Sequence, residues 1–472
     1  TLSSSSAASD VYKRQLKTLP RSMGPALATS LVISNVIGVG IFTTSGLLAR
    51  DLADPRLLLG IWVLGGVLAL SGAFCYAELG ARFPRAGGEY AYLREAYGPL
   101  PAFLSGWASL FAGFSAPIAA SAVGFTEYLS FYYPVLSMQN HHSASAGWAL
   151  PGRITATLVI VLLSALHYRK VQIGGSVHIG LTSFKVGIIA TFIGAGFLLG
   201  RGNPTRFVPA IALGDWPPLA PAVATGLIFV MFSYSGWNAA AYIGGEIRDP
   251  RRNLPRSLII GTLVVIALYV AMNALYIYAI PMRDMASVIR IAELASLNLF
   301  GLNVAPFLNL IFMGTILGSI SAMIIAGPRI YYAMAHDHLF PEVIARVHPR
   351  FGTPSNAILL QAVWSVLLLY TGRFEQLLTF SGVVLILFSS ITVLSVYFIR
   401  KKKADEPRPY SSWGYPWTLL LFLAVSLWIL VISFRDRPRE SLSGLAVVAS
   451  GIPFFYYWDR SRKKRTLDSS SR

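Results

Sequence analysis

The sequence predicts an all-α polytopic membrane protein of twelve transmembrane helices, ordered as two inverted five-helix repeats plus two C-terminal helices. Three observations predict it. Apolar residues are 54% of the 472 and charged residues only 13%, and the apolar ones fall in runs near the ~20 residues that cross a bilayer. Basic residues gather in short loops on alternate sides of these runs. Two of the runs, five apart in order, are interrupted at matching places by glycine-containing stretches, and an odd offset inverts one repeat relative to the other.

The first run, 25–49, carries Ser34-Asn35-Val36-Ile37-Gly38-Val39-Gly40-Ile41-Phe42 at its centre, where Gly38 and Gly40 let a helix open. The second, 57–81, is followed by Arg82, Arg85 and Arg94; the third is 100–133; the fourth, 154–166, leads to Arg169 and Lys170. The fifth, 174–199, contains Lys185, and the sixth, 219–245, contains the second interruption, Phe232-Ser233-Tyr234-Ser235-Gly236-Trp237-Asn238, before Arg248, Arg251, Arg252 and Arg256. The seventh and eighth are 258–280 and 304–330, with Arg346 and Arg350 beyond. The ninth and tenth, 355–370 and 377–399, lead to the basic run from Arg400 to Lys403. The eleventh and twelfth, 416–434 and 442–457, lie outside the repeat and precede the basic residues from Arg460 to Arg465. Lys13, Lys17 and Arg21 come before the first run, whereas the opposite loops are poorer in basic residues, with Arg56, Arg201, Arg283 and Arg373 as typical occupants, so both termini are expected to be cytoplasmic. The organisation is then a tail 1–20, a first repeat 21–200, a second repeat 216–400, the final pair 414–458 and a basic tail 459–472. Residues 1–15 are Ser-rich, match no targeting pattern and are read as non-native, the native chain starting near Leu16.

The formal charge of +18 is spread over alternate loops and forms no continuous stripe, which excludes a nucleic-acid surface. Cys75 is the only cysteine and Asn203 is followed by Pro204, so neither an internal disulfide nor a glycosylation sequon is available, as suits a bacterial inner membrane. No phosphate-binding loop is present. His141, His142, His336 and His338 lack cysteine or carboxylate companions at metal-ligand spacing and are read as solvated. No cofactor or metal is expected. A membrane enzyme is disfavoured because no nucleophile and base recur near the breaks.

A helix opened inside the bilayer leaves free N–H groups at the start of its second half and free C=O groups at the end of its first. The N–H groups of Val39, Gly40 and Ile41 would then face a carboxylate, and the carbonyls of Val36, Phe232 and Ser233 an ammonium. Close helix packing would equally call for the glycines; the second break favours opening. A free α-amino acid carries those two charges about one residue apart. Lys185 lies about 16 Å into its span at 1.5 Å rise per residue, and a charge at that depth is a functional candidate. Arg329, near an end of its run, reads as reaching the interface. Glu78, Glu246 and Glu127 stand at helix ends, and no acidic residue is read beside the breaks, which points to a neutral substrate.

Several stretches together resemble the amino acid–polyamine–organocation (APC) transporter superfamily, and within it the bacterial relatives of the L-type amino acid transporter light chains. They are Ile37-Gly38-Val39-Gly40-Ile41-Phe42; Tyr76-Ala77-Glu78-Leu79-Gly80 with Arg82-Phe83-Pro84-Arg85-Ala86-Gly87-Gly88-Glu89-Tyr90; Tyr234-Ser235-Gly236-Trp237-Asn238; Gly245-Glu246-Ile247-Arg248-Asp249-Pro250 with Asn253-Leu254-Pro255; and Gly327-Pro328-Arg329-Ile330-Tyr331-Tyr332-Ala333-Met334-Ala335. The resemblance covers nearly all of the chain after Leu16. It implies the LeuT-type fold of inverted repeats, substrate binding at Val36, Ile37, Gly38, Val39, Gly40 and Ile41 and at Phe232, Ser233, Ser235, Gly236 and Asn238, and a gating role for Phe232. It also implies that Lys185 matches the family's fifth-span lysine, whose ammonium takes the place of a sodium ion between the first, fifth and eighth spans, with Ser319 and Ser321 as candidate neighbours. Two departures stand out. Val39 replaces a hydroxyl residue common in relatives, and the loop 134–151 lacks the cysteine that joins animal light chains to a heavy chain, so no covalent heavy-chain partner is expected.

The expected function is secondary transport of neutral L-amino acids by alternating access, independent of sodium, as an exchanger or with protons as coupling partner. A cationic amino acid or polyamine permease is the alternative within transporters, and a substrate-gated channel the alternative outside them.

Overall fold

The computed structural model describes residues 21–85, 87–138, 150–169, 175–208, 219–371 and 374–470. The tail 1–20, His141, His142, Lys170, Arg373 and most of the loop 134–151 lie outside the described residues. Among the described residues the regular elements are all helices, nine of them long and apolar enough to cross a membrane. The first three spans are Pro25–Leu52, broken near its middle, Pro55–Arg82 and Pro99–Leu129, the last with a π-helical turn at Ser109–Phe114. The fourth and fifth are Leu150–Tyr168 and Gly175–Leu198. The sixth is Leu219–Tyr234 continued by the short helix Ala239–Tyr242, and the seventh and eighth are Pro250–Ala279 and Ala305–His336. The ninth to twelfth are Ser355–Thr371, Phe374–Lys402, Trp417–Asp436 and Pro438–Ser470. Each expected span thus falls on helix. The twelfth continues as helix through most of the stretch read as a separate basic tail.

Burial sorts these helices into a centre and a rim. In the first and third spans 78% and 83% of the most apolar stretch is buried, against 28% in the fourth, fifth and eleventh. The rim helices turn Leu162, Phe184, Leu198 and Leu427 outward, where hydrocarbon is the natural solvent.

Contacts between spans follow the repeat. The first packs on the sixth, the second on the seventh, the third on the eighth and the fourth on the ninth. Several further contacts come in related pairs: first with fifth and sixth with tenth, first with seventh and sixth with second, third with ninth and eighth with fourth; the third with the tenth stands outside this pairing. Exchanging spans one to five for six to ten sends each paired contact into the other of its pair, as a two-fold relation between inverted halves requires. The eleventh span packs on the second, sixth and tenth, and the twelfth on the third and tenth.

Ion pairs close the end of the bundle that carries Met23 and Arg248. Glu78 pairs with Arg400 at 2.5 Å, joining the second and tenth spans. Arg329 pairs with Glu246 at 2.9 Å, so it is tied to the end of the sixth span where the sequence suggested a free reach to the interface. The Met23 N–H donates to the Glu246 carbonyl (3.0 Å), which brings the starts of the first and seventh spans together.

Candidate functional site

The first span ends its first half, Pro25–Val36, with Ile37 as C-cap and begins its second, Val39–Leu52, after an extended Gly38. Space is tight at 38: a Cβ there would lie 2.5 Å from Ser319 Oγ of the eighth span, so that hydroxyl would have to turn away. The carbonyls freed by the break have partners from three other spans. Lys185 Nζ donates to Ile37 O at 3.0 Å and Ser34 O at 3.5 Å, Ser319 Oγ to Asn35 O at 3.5 Å, and the Tyr269 hydroxyl to Val36 O at 2.7 Å. Lys185 can do this because it shares the buried face of the fifth span with Thr182 and Ile189, while Leu181 and Phe184 face outward. No side chain caps the second half-helix, so the first-turn N–H groups of Val39, Gly40 and Ile41 have no capping acceptor.

The second break begins after Tyr234. Ser235 N–H turns back to Phe232 O (2.9 Å), and Gly236 takes a φ of 98°, a conformation open to glycine at little cost, beside Asn35. The two breaks touch. A Cβ on Gly40 would come within 2.7 Å of Ser233 Cα, and Ser233 Oγ lies 2.9 Å from Thr44 Oγ1 while donating to Phe229 O. The Tyr269 hydroxyl is also 3.2 Å from Ser233 O, so one O–H group is shared between the carbonyls that end the two half-helices.

The sequence-derived set therefore largely converges, with differences. Val36, Ile37, Gly38, Gly40, Ser233, Gly236, Lys185 and Ser319 form one connected cluster. Ile41 is held from the seventh span, where Tyr276 donates to its carbonyl (3.1 Å), and the Val39 side chain packs against Gly124 of the third span. Phe232 is buried and Ser235 half-buried. Ser321 is not beside Lys185; its hydroxyl lies 2.6 Å from His167 Nε2 of the fourth span. Gly40 crowds the sixth-span backbone, a more immediate constraint on its size than a substrate carboxylate.

Two residues escaped the sequence reading. Tyr269 lies in the unbroken, uncharged apolar run 258–280, and nothing local distinguishes it from a packing tyrosine. Glu89 overturns the statement that no acid stands beside the breaks: it accepts hydrogen bonds from Asn238 Nδ2 at 3.0 Å and the Tyr76 hydroxyl at 2.5 Å. The Gly87-Gly88-Glu89-Tyr90 motif was the available signal. A Cβ on Gly88 would meet the Tyr242 ring at 2.4 Å, so the glycine seats the helix Glu89–Tyr97 directly against the second half of the sixth span.

The amino acid permease family model matches residues 25–455. The serine/threonine exchanger SteT of Bacillus subtilis is 28% identical over 442 residues, which cover 93% of this chain and 97% of that one. The human large neutral amino acids transporter small subunit 2 is 27% identical over 452 residues, 94% of this chain and 82% of its own length. The human Asc-type amino acid transporter 1 is 26% identical over the same length, covering 94% and 84%.

Proposed function

Since the chain belongs to the amino acid permease family, we propose that it is a secondary transporter that moves neutral L-amino acids by alternating access, without sodium. The opened first span is the observation that carries this reading. Its uncapped helix start at Val39, Gly40 and Ile41 offers N–H groups to a carboxylate, and Val36 O and Ser233 O, both held by Tyr269, lie where an ammonium would replace the tyrosine hydroxyl. Phe232 covers the site, Gly38 opens the first span beside it, and Ser235, Gly236 and Asn238 shape its sixth-span wall. Lys185, on Ile37 O, supplies the fixed positive charge that makes a sodium ion unnecessary. The relatives' names, covering large neutral amino acids and serine/threonine, support a neutral substrate. The chain works in the plasma membrane with both termini cytoplasmic, as its basic loops support, and without a covalently joined heavy chain.

Equilibrium binding to the purified protein in sodium-free buffer tests the reading. Labelled neutral L-amino acids are expected to bind saturably and to be displaced by unlabelled ones, while N-acetylated and amidated analogues compete poorly because each removes one of the two charges. Equal competition by those analogues, or binding that requires sodium, would contradict it.

A further inference from the structure

Glu89 starts the helix Glu89–Tyr97, between the span that ends at Arg82 and the one that begins at Pro99. It is enclosed by four other elements yet has no ion-pair partner among the described residues. Facing it are Tyr76 of the second span, Ser105 of the third, Asn238 and Tyr242 of the sixth, Ser389 of the tenth and Tyr92 of its own helix, all of them neutral. Four other buried carboxylates each face an arginine: Glu78 faces Arg400, Glu246 faces Arg329, Asp54 faces Arg56 and Glu293 faces Arg290; Glu127 has no ion pair but accepts the Met138 N–H and feels the charge of Arg290. A desolvated charge without a counter-ion favours its neutral form. Burial pushes the Glu89 carboxyl up to about 7, against the pull of the hydroxyls and the amide that donate to it.

We propose that Glu89 is a proton-binding site that controls how firmly the second half of the sixth span is held. In the ionised state its hydrogen bond from Asn238 is charge-assisted and strong; a proton on the carboxyl makes that bond an ordinary neutral one. Asn238 directly follows the break and is 3.1 Å from the Tyr242 hydroxyl, and Gly87 N–H donates to Tyr242 O, so the weakening falls on the segment that leads out of the site. The far side of the same short helix is anchored to the eighth span, where Tyr90 and Arg94 bond to Asp337. Proton uptake therefore loosens one side of a brace whose other side stays held. The effect on exchange rests on the transporter reading; the protonation itself does not.

The test uses full-length protein. In liposomes with equal pH on both sides, wild-type exchange is expected to rise as pH falls from 8 to 6, an interval over which a group titrating near 7 goes from about one-tenth to nine-tenths protonated. Glu89→Gln should exchange with a flat profile, and Glu89→Asp should keep a slope. A flat wild-type profile, one that falls with acid, or a wild-type slope in Glu89→Gln overturns the proposal. Infrared difference spectra across the same pH range supply a readout independent of transport: the carboxylic-acid carbonyl band that appears near neutral pH in wild type is expected to lose one component in Glu89→Gln, the remainder coming from Glu293, which burial also pushes up to about 7. An undiminished band in that variant overturns the site. Should Glu89→Gln not fold, Tyr76→Phe removes one donor to the carboxylate and is expected to move the band's midpoint upward; an unmoved midpoint overturns the site as well. A wild type that shows the band but exchanges no neutral amino acid would overturn the transporter reading and leave the proton site standing.

Discussion

The Lys185 ammonium and the Tyr269 hydroxyl hold the carbonyls at the end of the first half-helix, the lysine at Ile37 O (3.0 Å) and the tyrosine at Val36 O (2.7 Å). Replacing Lys185 with alanine removes both the charge and those bonds, and is expected to abolish exchange while the protein stays monodisperse; wild-type turnover in that variant would remove its assigned role. Tyr269→Phe leaves two buried carbonyls without their donor, a loss of about 1–3 kcal/mol, read as a lower thermal midpoint in detergent. Saturating amino acid is expected to raise that midpoint more in the variant than in wild type, because the substrate ammonium takes up the vacated carbonyls. Equal shifts would contradict the shared site. Of these two residues the sequence displays only the lysine, since a charge in an apolar run is conspicuous and a tyrosine is not. Glu89 was hidden for another reason: Asn238 is its partner across the fold, and proximity along the chain says nothing of that contact.

At the scale of the element, both breaks were legible because glycines inside an apolar run mark where a helix can open. What the sequence could not display is how tightly the two openings press together. Gly40 faces the Ser233 backbone, so Gly40→Leu must push the sixth span aside and is expected to eliminate amino acid binding. Gly60→Ala, where nothing lies within 4 Å of the added carbon, is the matching control and is expected to bind as wild type. Gly236 has a φ of 98°, and alanine there carries backbone strain of about 1–3 kcal/mol, expected as a lowered thermal midpoint with or without ligand. Binding retained in Gly40→Leu would contradict the packing of the breaks, and an unchanged midpoint in Gly236→Ala would contradict the turn.

Across the whole molecule, the repeat was legible because two breaks five spans apart constrain topology, and the paired contacts of the halves follow from it. The ion pairs Glu78–Arg400 and Glu246–Arg329 were not, since each joins residues far apart in the chain that hydropathy treats as separate helix ends. A site built where inverted halves meet, opened to one side at a time, makes passage in one direction depend on what waits on the other. Countertransport in sodium-free proteoliposomes measures this dependence directly. Uptake of a labelled neutral amino acid is expected to saturate and to be accelerated by the same unlabelled amino acid inside, or, in empty vesicles, to follow an imposed proton gradient. Uptake that neither saturates nor responds to internal substrate or to the proton gradient would describe an open channel and contradict the account.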